Sequence, residues 1–490
     1  MSGLQQVHVR VNDAATGQPT PVRLRITDFA GEYYAPFGRM TEFATGPGEA
    51  VGGNVKIGSD AWATIDGNCE VLLPPGDLCI EVEKGPEYRA LTSKVLLPPG
   101  KLALRVEIER WCDMRGRGWH SGDTRVHFLP PHSALLEAQA EDVAVVQLLI
   151  RHAFVPVFNS RTKPSIANLD AFSGQAPCLQ AAGHLVAVNT FNFHAELGSL
   201  GLLHCHRVVY PLTFGGPNGE VDWTLADWCG QCHRKGGLVV WTRTQHRCGD
   251  FEFGEPLVDL LLGQVDAFEV TTKLGLAMLL WHDLLNLGFR MPLAGASGKN
   301  SNAIVLGSMR TYVQLPAGQP LTLPAWIEGL RAGRSFVTNG PLVDFTVNGQ
   351  GPGSVVLVEA GKVSVRAEAK SWRPFERLEI VCGGATVAAA SAQSAQPTHA
   401  ALEAEVPIEC GAWLAVRCSG ETFAQTSPVY IEVPGRPLPP DREAAARLLR
   451  EVDRMIEWCR TKARCPTPQA RDRLLAGFVK ARDWLQAVGS

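Results

Sequence analysis

Between residues 109 and 340 the chain alternates strand-like and helix-like segments, and this alternation limits its architecture more than any other feature. Val186-Ala-Val188, Leu238-Val-Val-Trp241 and Asp266-Ala-Phe-Glu-Val-Thr271 read as strands. Ala134 to Leu149 carries apolar residues at helical spacing and then runs into an apolar segment. Trp223 to Lys235 is amphipathic and ends at Gly236-Gly237, Glu255 to Leu262 stops at Gly263, and Leu276 to Leu287 stops at Gly288. Repeated strand–helix units place parallel strands side by side with helices outside, either as a barrel or as a doubly wound sheet. In both cases functional groups belong at the C-terminal ends of the strands.

The flanks have a different period. Residues 1–108 alternate apolar and polar positions, as in Val7-His-Val-Arg-Val-Asn-Asp13 and Val22-Arg-Leu-Arg-Ile-Thr-Asp28. An internal echo, Leu72-Leu-Pro-Pro-Gly76 and Leu96-Leu-Pro-Pro-Gly100, launches a strand each time. An N-terminal β-sandwich is expected there, with Tyr33-Tyr34 beside Pro36 as its one candidate contact surface. Residues 341–435 return to β periodicity through Val363-Ser-Val-Arg-Ala-Glu-Ala369, Leu378-Glu-Ile-Val-Cys382, Trp413-Leu-Ala-Val-Arg-Cys418 and Val429-Tyr-Ile-Glu-Val433, which predicts a second sandwich. Residues 436–490 then read as a Pro-rich linker and a helical hairpin broken at Cys465-Pro-Thr-Pro468, its Arg-rich face solvated and its other face against the rest of the chain.

Composition excludes several partners. With 46 Lys and Arg against 49 Asp and Glu, the net charge of -3 favours neither nucleic acid nor a membrane surface. No stretch reaches the roughly 18 consecutive apolar residues of a membrane span. The N-terminus enters a strand pattern without the basic start and apolar run of a signal peptide. Thirteen cysteines without a small-scaffold spacing fit buried free thiols in a reducing compartment, so a cytoplasmic location is expected.

The candidate site opens at Trp119-His-Ser-Gly-Asp-Thr-Arg-Val-His-Phe128. It reads as a short strand leaving a glycine turn, with Asp123, Arg125 and His127 on one face. Eleven of the thirteen histidines, His127, His194, His233 and His246 among them, fall between residues 120 and 282. Clustered histidines and carboxylates are what a hydrolytic Zn, Mn or Fe centre uses, because the cation lowers the pKa of bound water toward about 7.

Gly122-Asp-Thr-Arg-Val-His127 resembles the Gly-Asp-x-His-x-His opening motif of PHP-type metal-dependent hydrolases, in the branch named for carbaryl hydrolase (CehA/McbA). Further stretches are similar to that branch in order: Leu197-Gly-Ser-Leu-Gly-Leu-Leu203, Trp228 to Gly237, Gly254-Glu-Pro-Leu-Val-Asp259, Pro292-Leu-Ala-Gly-Ala-Ser297 and Arg310-Thr-Tyr312. So are Ser335 to Pro341 and Ala424 to Tyr430 in the flanks. The resemblance implies a PHP-like, distorted barrel-type α/β domain at 109–340, a divalent metal (Zn, Mn or Fe), and hydrolysis of an ester, phosphate or glycoside-like small molecule. Asp123 and His127 match its opening motif, and with His194 and His233 they are the candidate metal ligands of the hydrolase reading.

The departures fall on the chemistry. Arg125 stands where the first histidine of the pair belongs, Gly198-Ser199 where a Gly-His is implied, Arg243 where a histidine should follow Val239-Val-Trp241, and Ser297-Gly298 in place of Ser-Asp. Arginine stays protonated. Two unit charges about 4 Å apart interact by roughly 4 kcal/mol at an effective dielectric near 20, and a dication would meet about twice that repulsion. The hydrolase reading uses His127, His194, His233 or His246 with Asp123 and any retained metal. The same region instead fits an anion: Arg125, Arg243 and Lys299 as donors to a carboxylate, phosphate or sulfate, with His127 or His194 as acid or base. The plainer alternative pairs these cations with Asp123, Asp250 or Glu252. Two functions follow, a metallohydrolase and a non-catalytic pseudoenzyme whose pocket binds a small anionic ligand.

Two motifs point elsewhere. Cys229-Gly-Gln-Cys232-His233 has the haem-attachment spacing but lies within an amphipathic helix. Gly295-Ala-Ser-Gly-Lys299 lacks the phosphate-loop spacing.

Overall fold

The computed structural model describes residues 3–46, 52–157, 161–215, 219–244, 250–271 and 275–489. It is mixed α/β and rich in strands, with seven α-helices among the described residues. Trp119–Val126, Val145–Ile150 and His184–His194 run parallel to one another. Leu238–Trp241, Ala267–Val270 and Leu293–Gly295 form a second parallel set. Gly198–Leu203 lies between the two sets and is antiparallel to both neighbours. The expectation of parallel strands therefore holds except here, where a tight turn at 195–197 makes a hairpin, and so short a link permits only the antiparallel pairing. Leu238–Trp241 has the bounds read from sequence; the Val186–Val188 strand is longer because buried polar residues interrupt its apolar signal. Asn189, for example, is satisfied inside the sheet by Gln147 at 3.1 Å.

The sheet curls like half a barrel. Just past Leu293–Gly295, Lys299 makes a parallel bridge with Val126, and the His127 N–H donates to the Lys299 carbonyl at 2.8 Å. On the outer side of Trp119–Val126 the sheet continues through Arg310–Gln314 and Ser335–Thr338 into Ala424–Thr426, Ala412–Ser419 and Arg377–Cys382. Hydrogen bonding thus crosses the boundary expected near 341. In the N-terminal part a three-stranded and a five-stranded sheet share one core of Val7, Val9, Leu24, Ile26, Leu78 and Ile80. In the C-terminal part, Leu342–Val347, Gly361–Ser371 and Thr398–Ile408 form a separate sheet whose Val343 and Val365 pack with Leu378 and Leu414.

Helices cover the curled sheet. Helix α1 (Pro131–Ala140) follows the opening strand. Helix α2 (Leu225–Arg234) starts at Thr224 with a capping box, Thr224 and Asp227 exchanging bonds with each other's backbone N–H. Helices α3 (Glu255–Leu261), α4 (Gly275–Asn286) and α5 (Leu323–Arg331) complete the layer. The hairpin of α6 (Arg442–Thr461) and α7 (Pro468–Gly489) packs its apolar faces into the core that also holds Leu257 and Trp281. Buried Glu451 docks it, accepting the Glu252 N–H at 2.6 Å. Among the described residues no helix is long and apolar enough to cross a membrane.

Gly122 is not a turn. It lies inside the Trp119–Val126 strand, where a Cβ would come within 2.3 Å of the buried Trp326 ring on α5. The turn reading failed because the reason for this glycine is a close approach from 200 residues away in sequence. Gly122→Ala should lower the midpoint of chemical denaturation by the equivalent of about 1–3 kcal/mol, the usual cost of overpacking a filled core. An unchanged midpoint would mean that Trp326 yields freely.

Candidate functional site

The opening strand carries Asp123 and Arg125 into the interior of the curl. Between Asp123 and Val126 its pairing with Val145–Ile150 slips by a residue, which interrupts the pleat and turns neighbouring side chains to different tasks. The Asp123 carboxylate is fully buried and takes four donors. Oδ1 accepts the N–H groups of Arg125 (3.2 Å) and Ser297 (3.1 Å); Oδ2 accepts the Ser297 hydroxyl and the Gly307 N–H (2.8 Å). Burial pushes this carboxyl above its ordinary range, and the four hydrogen bonds pull partly back. A carboxylate offers about four lone-pair sites, so Asp123 is a clamp on the segment from 297 to 307 with nothing left for a cation.

Arg125 is held by a residue the motifs did not single out. Its Nε and Nη2 meet the two oxygens of Glu269 at 2.7 and 2.9 Å, a bidentate pair with both partners buried. Glu269 sits in the Ala267–Val270 strand and also accepts the Arg243 N–H at 2.9 Å. Gly298 belongs to the same arrangement. At φ +65° it has left-handed backbone, and a Cβ there would lie 2.9 Å from the Arg125 guanidinium. A side chain at 298 would therefore crowd the Arg125 guanidinium, and the anticipated pairing of Arg125 with Asp123, Asp250 or Glu252 is replaced by Glu269.

Around His127 three arginines converge. The buried ring donates from Nδ1 to the Leu149 carbonyl at 3.2 Å, since a carbonyl can only accept. That leaves Nε2 as an unprotonated acceptor, without a hydrogen-bond partner among the described residues. Phe191 meets the ring edge to face at 5.2 Å. Burial holds this imidazole well below its usual pKa, and the charges of Arg125, Arg151 and Arg243 depress it further. Arg151, just past Val145–Ile150, lies over the Phe128 ring at 5.6 Å; Arg243, at positive φ just past Leu238–Trp241, lies over Phe193 at 5.5 Å. Burial lowers the Arg151 pKa, and Arg243 and Arg125 add to the effect. Both guanidinium groups are half-buried at the C-terminal ends of parallel strands, where the sequence pattern places function.

The other candidates are dispersed. His194 ends the His184–His194 strand, and its Nδ1 accepts the N–H groups of Glu196 and Leu197, both at 3.2 Å. It stacks on Phe214, and burial lowers its pKa to about 4. Ser199 exchanges bonds with Thr242. Lys299 is fully buried: its ammonium donates to the Ile304 carbonyl at 2.7 Å and lies 3.4 Å from the Glu137 carboxylate. It locks a loop and is spent as an anion donor. His233 pairs with Asp266 at 3.0 Å, at the N-terminal end of the Ala267–Val270 strand, away from the arginine-lined end. His246 lies outside the described residues. Asp250 pairs with Lys462. The two cysteines of the haem-like spacing part company, Cys232 facing Cys205 and Cys229 facing Asp259.

These residues do not fit a divalent metal. Asp123 has no lone pair to give, the Arg125 guanidinium already neutralises Glu269, and the histidines assigned as ligands do not share a centre. No group of three or more His, Cys, Asp or Glu among the described residues has metal-binding geometry. The residues that sequence reasoning missed are Glu269 and Arg151. Each had a local signal: a single carboxylate inside the apolar run Ala-Phe-Glu-Val, and an arginine directly after a buried parallel strand.

Removing one member of the buried pair, by Arg125→Met or Glu269→Gln, should destabilise the fold by about 3–5 kcal/mol in denaturant titrations. Arg125→Met with Glu269→Leu should recover much of that loss, and additive losses would count against a coupled pair. His194 gives a pH signature. Its folded pKa of about 4 lies below the ordinary 6.5, so the unfolded chain binds the extra proton between those values and stability falls as pH drops through that window. The contribution is on the order of 3 kcal/mol. His194→Asn, whose amide oxygen can accept the same N–H groups, should flatten the fall in melting temperature between pH 6.5 and 4; an identical slope would reject the assignment.

Compared with known proteins, the chain matches no family model, no curated protein and no solved structure.

Proposed function

We propose that this chain is a non-catalytic binding protein on a metallohydrolase-like frame, with the arginine-lined ends of the central strands as an anion pocket. The observation that carries this reading is the bidentate Arg125–Glu269 pair: a fixed organic cation stands in the interior where the resemblance puts a metal. Arg151 and Arg243 then add positive charge beside an imidazole that burial keeps neutral. Planar guanidinium groups bind carboxylate, phosphate or sulfate in fork geometry, and the His127 Nε2 lone pair would accept from a protonated ligand oxygen or hydroxyl. A small anionic ligand is the partner this chemistry selects.

The same proposal takes residues 109–340 as a PHP-like α/β domain, 1–108 and 341–435 as β-sandwiches and 436–490 as linker and helical hairpin. Supporting it are the two sets of parallel strands, the separate cores of the flanking parts and the ordered motifs. A reducing, cytoplasmic setting is supported by the free thiols of all twelve described cysteines.

Inorganic phosphate titrated calorimetrically at low ionic strength should bind saturably. Arg151→Ala and Arg243→Ala should each weaken it by about tenfold, the loss of one charge-assisted hydrogen bond. A stoichiometric transition metal in protein purified without chelator would overturn the proposal. So would ester or phosphate hydrolysis abolished by His127→Ala, or phosphate binding indifferent to both arginines.

A further inference from the structure

A second cleft lies where the three parts of the chain meet. It encloses about 360 Å³, within the range of small-molecule sites. The N-terminal part contributes Lys84 and its neighbours, the 303–310 loop of the central part contributes Arg310, and the C-terminal part contributes Trp372 and Arg373.

Charge on the walls is unbalanced. Four cations, Arg23, Lys84, Arg310 and Arg373, face two carboxylates, Glu83 and Glu141. Both carboxylates are already engaged: Arg23 bonds Glu83 at 2.5 Å and Glu141 at 2.7 Å, and Arg373 adds a contact to Glu83 at 3.2 Å. Behind them, Asp142 is held by Arg110 and Arg115, each at 2.9 Å. Lys84 and Arg310, both buried, have backbone carbonyls as their hydrogen-bond partners. Lys84 donates to Pro21 at 2.6 Å and Gln139 at 2.5 Å; Arg310 donates to Gly307 at 2.8 Å and Glu141 at 3.0 Å. An ammonium has three donors and a guanidinium five, so each retains capacity on the wall of the cleft. Much of the remaining lining is apolar, with Ile57, Pro86, Ala90, Ile304 and Val305 alongside the half-buried Trp372 ring, and Ser308 and Asn339 among its polar members.

We infer that this cleft binds a carboxylate-bearing small molecule with an apolar body, its carboxylate on Lys84 and Arg310 and its body against Trp372 and the Ile304–Val305 wall. The inference is independent of the anion pocket at His127. Asp142 and Glu141 act on Lys84 electrostatically, but neither Lys84 nor Arg310 hydrogen-bonds a carboxylate, so an anion in the cleft would give two buried cations a direct partner. Burial pulls the Lys84 ammonium down to about 8, an effect a bound anion would reverse.

The test uses 1-naphthoate and its neutral analogue 1-naphthamide, titrated calorimetrically into the full chain. Naphthoate should bind saturably and at least about tenfold more tightly than the amide, the margin of one charge-assisted hydrogen bond. Lys84→Met should remove that margin. Ala90→Trp fills the cleft from an exposed rim position, so it should abolish binding without disturbing a buried bond. Equal affinity for acid and amide, binding that survives Ala90→Trp, or no saturation by roughly 10 mM would each overturn the inference.

Discussion

Arg125 and Glu269 come from strands 144 residues apart in sequence, and their meeting decides what the interior of the curl can be. A buried carboxylate needs a cation. A guanidinium in bidentate register answers that need without an exchangeable ion, but desolvating both groups is repaid only when geometry and secondary hydrogen bonds are good. Here the Arg243 N–H adds a bond to Glu269, and Gly298 withholds a side chain where the guanidinium lies. The pair therefore dictates the conformation of two strand ends, and Arg243 takes its positive φ in a segment held at both its own N–H and the Thr244 hydroxyl by Glu269.

The segment from 297 to 310 transmits that order outward. Asp123 grips it at Ser297 and Gly307, and the Lys299 ammonium grips its middle at Ile304. Its inner side bridges to the strand that carries Arg125, and its outer side forms one wall of the cleft between the three parts. Residues that look like catalytic donors in the sequence, Asp123 and Lys299, are thus the fasteners of a shared wall. Polar residues placed so deeply serve rigidity, because an unsatisfied bond in such a place costs more than a satisfied one contributes.

Local pattern carried much of the architecture. The strand Leu238–Trp241, the helix with its Thr224 cap and the hairpin of α6 and α7 follow from periodicity and capping chemistry, which act over a few residues. What stayed hidden was non-local. Gly122 reads as a turn until Trp326 is seen against it. The continuation of the central sheet through Ala424–Thr426 depends on pairing between segments about 90 residues apart, which no period encodes. At the site, the sequence placed Asp123, Arg125 and His127 on one strand, but the partner of Arg125 and the role of Arg151 depended on which strands lie beside it.

A site built on fixed guanidinium charge behaves differently from one built on a metal. Metal ligands must lose protons before they bind, so such a site depends on pH and on metal supply. Arginine keeps its charge across the physiological range, and the imidazole at the centre is held neutral by burial and by that same charge. Selectivity must then come from shape and from where the donors point. Glu269 removes one full charge from the cluster, and Arg151 and Arg243 stand at the strand ends over Phe128 and Phe193. Under the proposed binding function, an anion would be recognised by how it fits these donors, because arginine, unlike a metal, supplies no Lewis acid to activate water.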